Sequence, residues 1–304
     1  MSYTIKPFEE LDIMDDFLVN AIANDDEVGE EFCKTLLSVL LQREIGKIRI
    51  SAQRIIPANI PTQRGIRLDV EVTEYAENDV EMQAKNIYDI EPHKQDAANL
   101  PKHNRFYQAK IDSRNMKSGE KDFLKLPNLY VITIMNYDPF GHNYMMYTVH
   151  NVCDEIPELE YEDGLTFIYF NTKGTKGGTS SIKNLLNYIQ ESKIENVTDE
   201  ATRKLHACVS KVKVLPEVRM EYMTLEEKIF YIQLDAKEEG KAEGKAEGKA
   251  EGKAEAILDL LGDYDLVPES IAEKIKAETN MDQLKKWLKI AAKVDSIQEF
   301  IDNM

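Results

Sequence analysis

The sequence predicts an α/β fold followed by a small helical module at the C-terminus. Three observations support this prediction. Apolar residues recur at helical spacing between residues 27 and 42, short β-rich runs begin at Ile48, and the strongly apolar run 129–135 is typical of a strand covered on both faces of a sheet. Helix, strand hairpin, helix, buried strand and further helices is the element order of an α/β core.

The predicted elements follow from local periodicity and from the positions of proline. Val28, Phe32 and Leu36 share one helical face, whereas Pro57 and Pro61 interrupt the first β-rich region because proline cannot donate to a strand ladder. Pro92 stands near the start of the third predicted helix. The predicted helices cover residues 8–24, 27–42, 92–116, 179–191, 198–213 and 223–238, and the predicted strands cover 66–74, 79–84, 129–135, 144–150 and 165–171.

A repeat divides the chain into two parts. The segment from Glu239 to Ala254 repeats Glu-Gly-Lys-Ala four times. Each glycine costs a helix about 1 kcal/mol relative to alanine, and the period of four places like charges at i, i+4. We interpret it as a weakly helical spacer, with partner binding as the alternative. The predicted organisation is an α/β domain over 1–238, a spacer over 239–254 and a helical module over 255–304 around Trp287.

Composition excludes several classes of protein. The 304 residues contain no apolar run near the roughly 18 residues that span a membrane, and the N-terminus has no apolar signal core. We therefore expect a cytoplasmic protein with no membrane partner. The three cysteines are far apart and odd in number, and the five histidines show no paired ligand spacing, which argues against a disulfide scaffold or a zinc centre.

The charge distribution leaves the question of a nucleic-acid partner open. A formal net charge of −17 argues against one, because phosphate contacts need lysine and arginine. However, acids dominate residues 9–31, whereas basic residues dominate the windows 43–67 and 102–117. This separation either confines DNA to one face or belongs to a mixed solvated surface.

The candidate catalytic residues lie in the hairpin predicted for strands 66–74 and 79–84. Side chains alternate between the two faces of a strand, so Asp69 shares a face with Arg67, and Glu81 shares one with Gln83. If the turn centres on Tyr75, Asp69 stands across from Glu81, and two carboxylates that close favour a bound cation. Gln83 is expected to position a water. The alternative is a solvent-facing hairpin without a site.

Several local strings resemble one family of nucleases. Asp69 followed by Glu81-Met82-Gln83 resembles the Asp … Glu-x-Lys core of the PD-(D/E)XK nucleases, and more closely the recombination-promoting nuclease (Rpn) and transposase family, whose last motif position is typically Gln. The strings that support this resemblance are Ser51-Ala52-Gln53, Gly65-Ile66-Arg67-Leu68-Asp69, Leu100-Pro101-Lys102, Arg105-Phe106-Tyr107-Gln108, Ile111-Asp112-Ser113-Arg114 and Ser118-Gly119-Glu120. The resemblance covers roughly residues 10–255, and its specificity comes from the combination.

The resemblance implies a restriction-endonuclease-like core, with a mixed sheet flanked by helices, that cuts DNA using Mg²⁺ or Mn²⁺. It implies that Asp69 and Glu81 hold the metal and that Gln83 takes the place of the usual lysine. An assisting acid from the first helix is also implied, and Asp16 is the matching residue. The residues expected to contact DNA are Arg105, Tyr107, Gln108 and Arg67.

Three functions stay open at this point. The first is a metal-dependent DNA endonuclease that serves recombination, mobile elements or defence. The second is a catalytically degenerate nuclease fold that binds DNA or protein without turnover. The third is RNA cleavage by the same site, for which the sequence lacks an aromatic and basic platform. The C-terminal helices are expected to mediate self-association or to control the nuclease.

Overall fold

A computed structural model of the chain describes residues 6–56, 66–76, 83–94, 99–116 and 119–304, and it gives the backbone alone for residues 53–56, 66–68 and 242–243. A short 3-10 turn at Phe8–Glu10 precedes the first helix. The helices are α1 Asp16–Ala23, α2 Gly29–Leu41, α3 Leu100–Asn115, α4 Ser180–Gln190, α5 Glu200–Lys213, α6 Pro216–Gly262, α7 Glu269–Ala277, α8 Met281–Ala291 and α9 Ile297–Asn303. The strands are β1 Ile48–Ile56, β2 Ile66–Tyr75, β3 Ala84–His93, β4 Asn128–Met135, β5 Met146–Val149 and β6 Leu165–Asn171.

The described strands form one mixed sheet in the order β1-β2-β3-β4-β6-β5. Strands β1, β2 and β3 are antiparallel neighbours, whereas β3, β4 and β6 run parallel, and β5 pairs antiparallel with β6. Parallel neighbours need a crossover connection, and α3 supplies it between β3 and β4. This confirms the predicted α/β class with a mixed sheet flanked by helices.

The two faces of the sheet pack against different helices because alternate side chains point to opposite sides. Val70, Val72, Tyr88 and Ile90 face the main core, where they pack with buried residues of α1, α2, α4 and α5. On the opposite face, Ile87 packs with residues of β4 and α3. Helix α3 therefore covers the face that also carries the odd-numbered residues of β2 and β3.

The structure corrects the predicted boundary between the second hairpin strand and the third helix. The predicted helix 92–116 begins at Leu100, because the residues up to His93 continue strand β3. Pro92 is compatible with this position because the pairing of β3 with β2 ends at Ile90, so its missing N–H group interrupts no described bond to β2. The predicted strand 79–84 falls largely on residues outside the described ranges.

The chain divides into two compact units, Met1–Met223 and Thr224–Met304. The Glu-Gly-Lys-Ala repeat lies inside the continuous helix α6, where a weakly helical spacer was expected. Ala250 and Ala254 are buried in one core with Ile257, Leu261 and Trp287. Tertiary burial of these two alanines favours helix at the C-terminal end of the repeat, whereas Ala246 is exposed.

No helix in the described part of the chain is long and apolar enough to cross a membrane.

A network around Glu74 fastens the main-core side of the sheet to the segment after α2. Glu74 accepts hydrogen bonds from Arg43 Nη2 at 3.0 Å, from the Gly46 amide at 2.8 Å and from Asn86 Nδ2 at 2.7 Å. Tyr88 also donates to Glu74, and its oxygen accepts from Arg43. Burial alone would raise the pKa of Glu74, but these donors lower it to about 2.

Glu74→Gln is expected to lower the free energy of unfolding of the first unit by about 2 kcal/mol at pH 7, because a charged acceptor with several donors is lost. The pKa of Glu74 in the folded chain lies below its ordinary value of 4.5. Its contribution is therefore present above pH 4.5 and is lost as the pH falls toward 2. The difference between wild type and variant should shrink over that window.

Urea titrations read by amide hydrogen exchange in peptides from β2 and β3 measure this unit separately, whereas Trp287 reports the C-terminal unit. Glu44→Gln, an exposed change nearby, serves as the control and should change stability by less than about 0.5 kcal/mol. A difference for Glu74→Gln that stays constant down to pH 2 would contradict the network's role.

Candidate active site

The register of β2 and β3 decides which acid faces Asp69. Val70 pairs with Ile90, Glu71 with Asp89 and Val72 with Tyr88. Continuing this register by one residue places Asp69 opposite Glu91. The prediction that Asp69 stands across from Glu81 required a turn centred on Tyr75, and this condition is wrong because Tyr75 pairs with Ala84. Glu81 itself lies outside the described residues.

The register gathers acids on the sheet face that α3 covers. Glu71, Asp89 and Glu91 are buried, with only 1%, 0% and 6% of their surfaces exposed, and Asp69 is half-buried at the edge of this group. We call these four residues the acidic face. Carboxylates are rarely buried unless they are paired with a cation or protonated, so this face needs a source of positive charge or protons.

Asp89 shows this need most directly. Neither of its carboxylate oxygens has a hydrogen-bond partner among the described residues. Burial raises the pKa of Asp89 well above the ordinary range, and the negative charges of Glu71 and Asp69 raise it further. Burial likewise raises the pKa of Glu91, followed by the charges of Asp89, Asp69 and Asp16. The acids therefore act on one another electrostatically as a group.

Helix α3 supplies a counter-charge at one end of the acidic face. Arg114 Nη2 lies 2.6 Å from Glu71 Oε2. The other terminal nitrogen of Arg114, Nη1, is buried without a hydrogen-bond partner in the part of the chain that the structure describes. Earlier in the helix, buried Asn104 donates to Thr133 Oγ1 at 3.0 Å. These two contacts fix α3 across the acids.

Helix α1 places a further acid near Glu91, at the other end of the acidic face. Asp16 is its first residue, and its charge acts on Glu91. The preceding residue, Asp15, accepts from Lys6 at 3.0 Å and also pairs with Lys94, which directly follows β3. The ion pair between Lys94 and Asp15 thus ties the start of α1 to the end of β3.

Strand β3 ends with His93, on the same face as Asp89 and Glu91 by alternation. The His93 ring lies 6.1 Å from the ring of His103, which in turn lies 4.1 Å from the ring of Tyr107 on α3. Glu91-Pro92-His93 therefore has the form Glu-x-His, with its imidazole beside a short row of rings on α3.

A sequence profile of the PD-(D/E)XK nuclease family transposases matches residues 15–192. This span is more than half of the chain, and it contains Asp16, the acidic face, His93 and α3. The chain belongs to the PD-(D/E)XK nuclease transposase family. Comparison with curated proteins found no match, and comparison with solved structures found none either.

Family membership gives the acidic face a chemical context, and the oxygen donors fit a divalent cation. Magnesium is held in proteins by one or two carboxylates, with waters and substrate phosphate completing its shell. Asp69 and Glu91 offer such a pair, and Asp89, whose oxygens lack a hydrogen-bond partner among the described residues, lies on the same strand face. Among the described residues, no group of three or more His, Cys, Asp or Glu side chains converges on a single metal position, so the fit is to a two-carboxylate site.

The other residues predicted for the site lie just before β3, on α3, or where the structure describes only the backbone. Gln83 is exposed and precedes β3, and the side chain of Arg67 lies outside the described part. Arg105 is exposed on α3, off the side that buries Asn104 and Ile111. Tyr107 contacts His103, and Gln108 donates to Asp112. Their roles toward DNA stay predictions.

Sequence reasoning missed four residues that the structure brings together: Asp89, Glu91, His93 and Arg114. A signal for three of them was present, because Ile87, Asp89, Glu91 and His93 alternate with Tyr88 and Ile90 as a strand requires. Residues 79–84 and 87–93 both show this alternation, and each segment contains a glutamate followed two residues later by a polar side chain, in Glu81-Met82-Gln83 and in Glu91-Pro92-His93. The observed pairing with β2 identifies β3, which contains Glu91-Pro92-His93, as the strand next to Asp69 and Glu71.

Arg114→Met is expected to lower the free energy of unfolding of the first unit by about 3 kcal/mol, because it leaves the buried carboxylate of Glu71 without its partner. Adding Glu71→Gln should recover about 2 kcal/mol of this loss, since the uncompensated charge is then removed. Urea titrations read by amide exchange in β2 measure both variants.

Arg105→Met removes an exposed arginine from the same helix and should change stability by less than about 0.5 kcal/mol. Equal losses for Arg105→Met and Arg114→Met, or no recovery in the double variant, would show that the pair does not hold α3 on the sheet.

Proposed function

We propose that the chain is a divalent-metal-dependent endonuclease that hydrolyses phosphodiester bonds of DNA and takes part in recombination, mobile-element activity or defence. The single observation that carries this proposal is the fully buried Asp89, which lacks a hydrogen-bond partner in the described chain. It lies on the strand whose register with β2, continued by one residue, brings Glu91 opposite Asp69. Family membership supports nuclease-type chemistry.

In this proposal Asp69 and Glu91 hold the cation, with Mg²⁺ or Mn²⁺ as the candidates. A bound divalent ion would supply Lewis acidity and would neutralise negative charge on the phosphate. Burial, followed by the charges of Asp89, Asp69 and Asp16, raises the pKa of Glu91, and a bound cation would counter this effect. The pairing of Glu71 with Arg114 limits the excess charge at the other end.

We assign the third position of the motif to His93. Hydrolysis forms a bond between a water oxygen and phosphorus and breaks one phosphorus–oxygen bond of the backbone. An imidazole can accept the proton of that water, whereas the amide of a glutamine can only position it. His93 is half-buried on the same strand face as Glu91, which supports this role over the earlier prediction for the exposed Gln83.

Helix α3 offers a basic surface beside this site. Lys102 and Arg105 are exposed, and the ammonium of Lys110 lies 5.6 Å from the ring of Phe106. Phosphate contacts from such residues position a duplex without reading its sequence. We propose that Arg105 contacts the backbone of DNA, together with Tyr107, Gln108 and Arg67.

The second candidate function is DNA or protein binding on the same fold without turnover. The observation that favours it is the lack of a converging group of three metal-binding side chains in the described residues. The two functions differ in whether divalent metal binds and whether product forms, so both quantities are measured below.

Plasmid cleavage with Mg²⁺, Mn²⁺, Ca²⁺ or EDTA tests the proposal. Wild type is expected to nick the plasmid with Mg²⁺ or Mn²⁺ only. Asp69→Asn and Glu91→Gln should each lower the rate at least about 100-fold, because each removes a charged ligand of the metal ion. Glu81→Gln serves as the matched control and should cleave within about twofold of wild type, while full activity in Glu91→Gln with loss in Glu81→Gln would restore the earlier assignment.

Isothermal titration with Mn²⁺ separates metal binding from chemistry. His93→Ala is expected to bind Mn²⁺ like wild type but to cleave about 100-fold more slowly, whereas Asp69→Asn should lose the binding heat. DNA binding by wild type without metal uptake and without product would favour the binding module and sink the endonuclease proposal.

A further inference from the structure

A surface cavity of about 680 Å³ opens where β4 and β6 begin. Its walls come from the segment 150–166 and from Asn128 and Tyr130 at the start of β4. Asn86 pairs with Asn128 at this end of the parallel strands, whereas Glu91 pairs with Thr133 five residues further along. At about 3.3 Å per residue, the cavity lies roughly 10 Å along the strands from Asp89 and roughly 16 Å from Glu91.

Part of the cavity lining is apolar and exposed to solvent. Val152, Leu159 and Tyr161 are 59%, 49% and 58% exposed, although all three line it. Tyr130 and Leu165 complete the apolar part of the wall. Single exposed apolar residues are ordinary on a protein surface, but several that line one cavity mark a place where a partner binds.

The charge around this lining has one sign. Between His150 and Thr166 the sequence has six acids and no lysine or arginine. Glu158, Glu160 and Glu162 are exposed and line the cavity. None of these three glutamates has an ion-pair partner in the described part of the chain. The rim therefore favours a cationic partner and repels nucleic acid.

Hydrogen bonds fix the walls of the cavity in place. Asn128 Nδ2 donates to Asn86 Oδ1 at 2.9 Å, and the Leu129 amide donates to the Gly164 carbonyl at 2.8 Å. Gly164 has a φ of +72°, and a Cβ added there would lie 2.5 Å from Asn128 Oδ1. A side chain at position 164 would therefore displace Asn128, so glycine keeps the wall closed against the strand.

We propose that this cavity binds an extended segment of a partner protein in which lysine or arginine alternates with apolar residues. Glutamates and apolar residues alternate along Glu158-Leu159-Glu160-Tyr161-Glu162, and such a segment presents both kinds of complementary group. A polyamine would neutralise the glutamates but leave the apolar lining exposed to water. The inference does not depend on the proposed nuclease activity, since the cavity shares no residue with the acidic face.

A surface array of octapeptides, with Lys or Arg alternating with Leu, Val, Phe or Tyr, tests the proposal on the full-length protein. The peptide with the strongest signal is then labelled, and its affinity is measured by fluorescence anisotropy. The triple variant Glu158→Gln, Glu160→Gln, Glu162→Gln should weaken binding about tenfold. Leu159→Ser with Tyr161→Ser should weaken it by a similar factor, because the apolar contact is lost.

The matched control is Glu191→Gln, Glu195→Gln, Glu200→Gln, which changes the net charge equally at exposed positions elsewhere. It should alter the affinity by less than about twofold, because distant exposed charges are screened by salt. Equal effects of the two triple variants, binding by none of the octapeptides, or displacement of the peptide by an equal concentration of spermine would each overturn the proposal.

Discussion

The antiparallel pairing of β2 with β3 is the constraint on which the candidate site depends. Strand alternation puts Asp69 and Glu71 of β2 on the same face as Asp89 and Glu91 of β3 only in the observed register. A shift by one residue would move the acids of one strand into the main core and its apolar residues under α3. The apolar set Val70, Val72, Tyr88 and Ile90 therefore holds the chemical groups in place by being buried itself.

This arrangement has an energetic consequence for the fold. Buried carboxylates destabilise a protein unless protons, cations or hydrogen bonds compensate them. Glu74 on the main-core face is compensated by several donors, and its pKa is lowered. Asp89 on the opposite face has no such donors among the described residues, and its pKa is raised. The pKa values of Glu74 and Asp89 thus shift in opposite directions, and a buried carboxyl with a strongly raised pKa is a candidate for a functional role.

Much of the fold could be predicted from the sequence because local periodicity carries it. The strand at 129–135, the helices near α2, α4 and α5, and the candidates Asp69 and Asp16 all follow from patterns within one element or one short motif. The residue opposite Asp69 could not be predicted in this way. Two consecutive segments alternate polar and apolar residues, and no local pattern in the sequence indicates which of them pairs with β2.

Proline added to this difficulty. Pro92 stands near the start of the predicted helix 92–116, a place where proline is common, yet it lies at the end of a strand beyond the described pairing with β2. This prediction removed Glu91 and His93 from the sheet. The long-range contact of Arg114 with Glu71 also has no sequence signature, because it depends on how α3 crosses the sheet.

The account's central claim is that Asp69 and Glu91 are neighbours across β2 and β3, and disulfide trapping tests it most directly. Directly opposed residues of antiparallel strands have Cα atoms about 4.5 to 5.5 Å apart, within the range that a disulfide spans. In a background with Cys153→Ser, Asp69→Cys with Glu91→Cys is predicted to form an intramolecular disulfide under mild oxidation, whereas Asp69→Cys with Glu81→Cys is not. Efficient trapping of the second pair and none of the first would contradict the register and the site built on it.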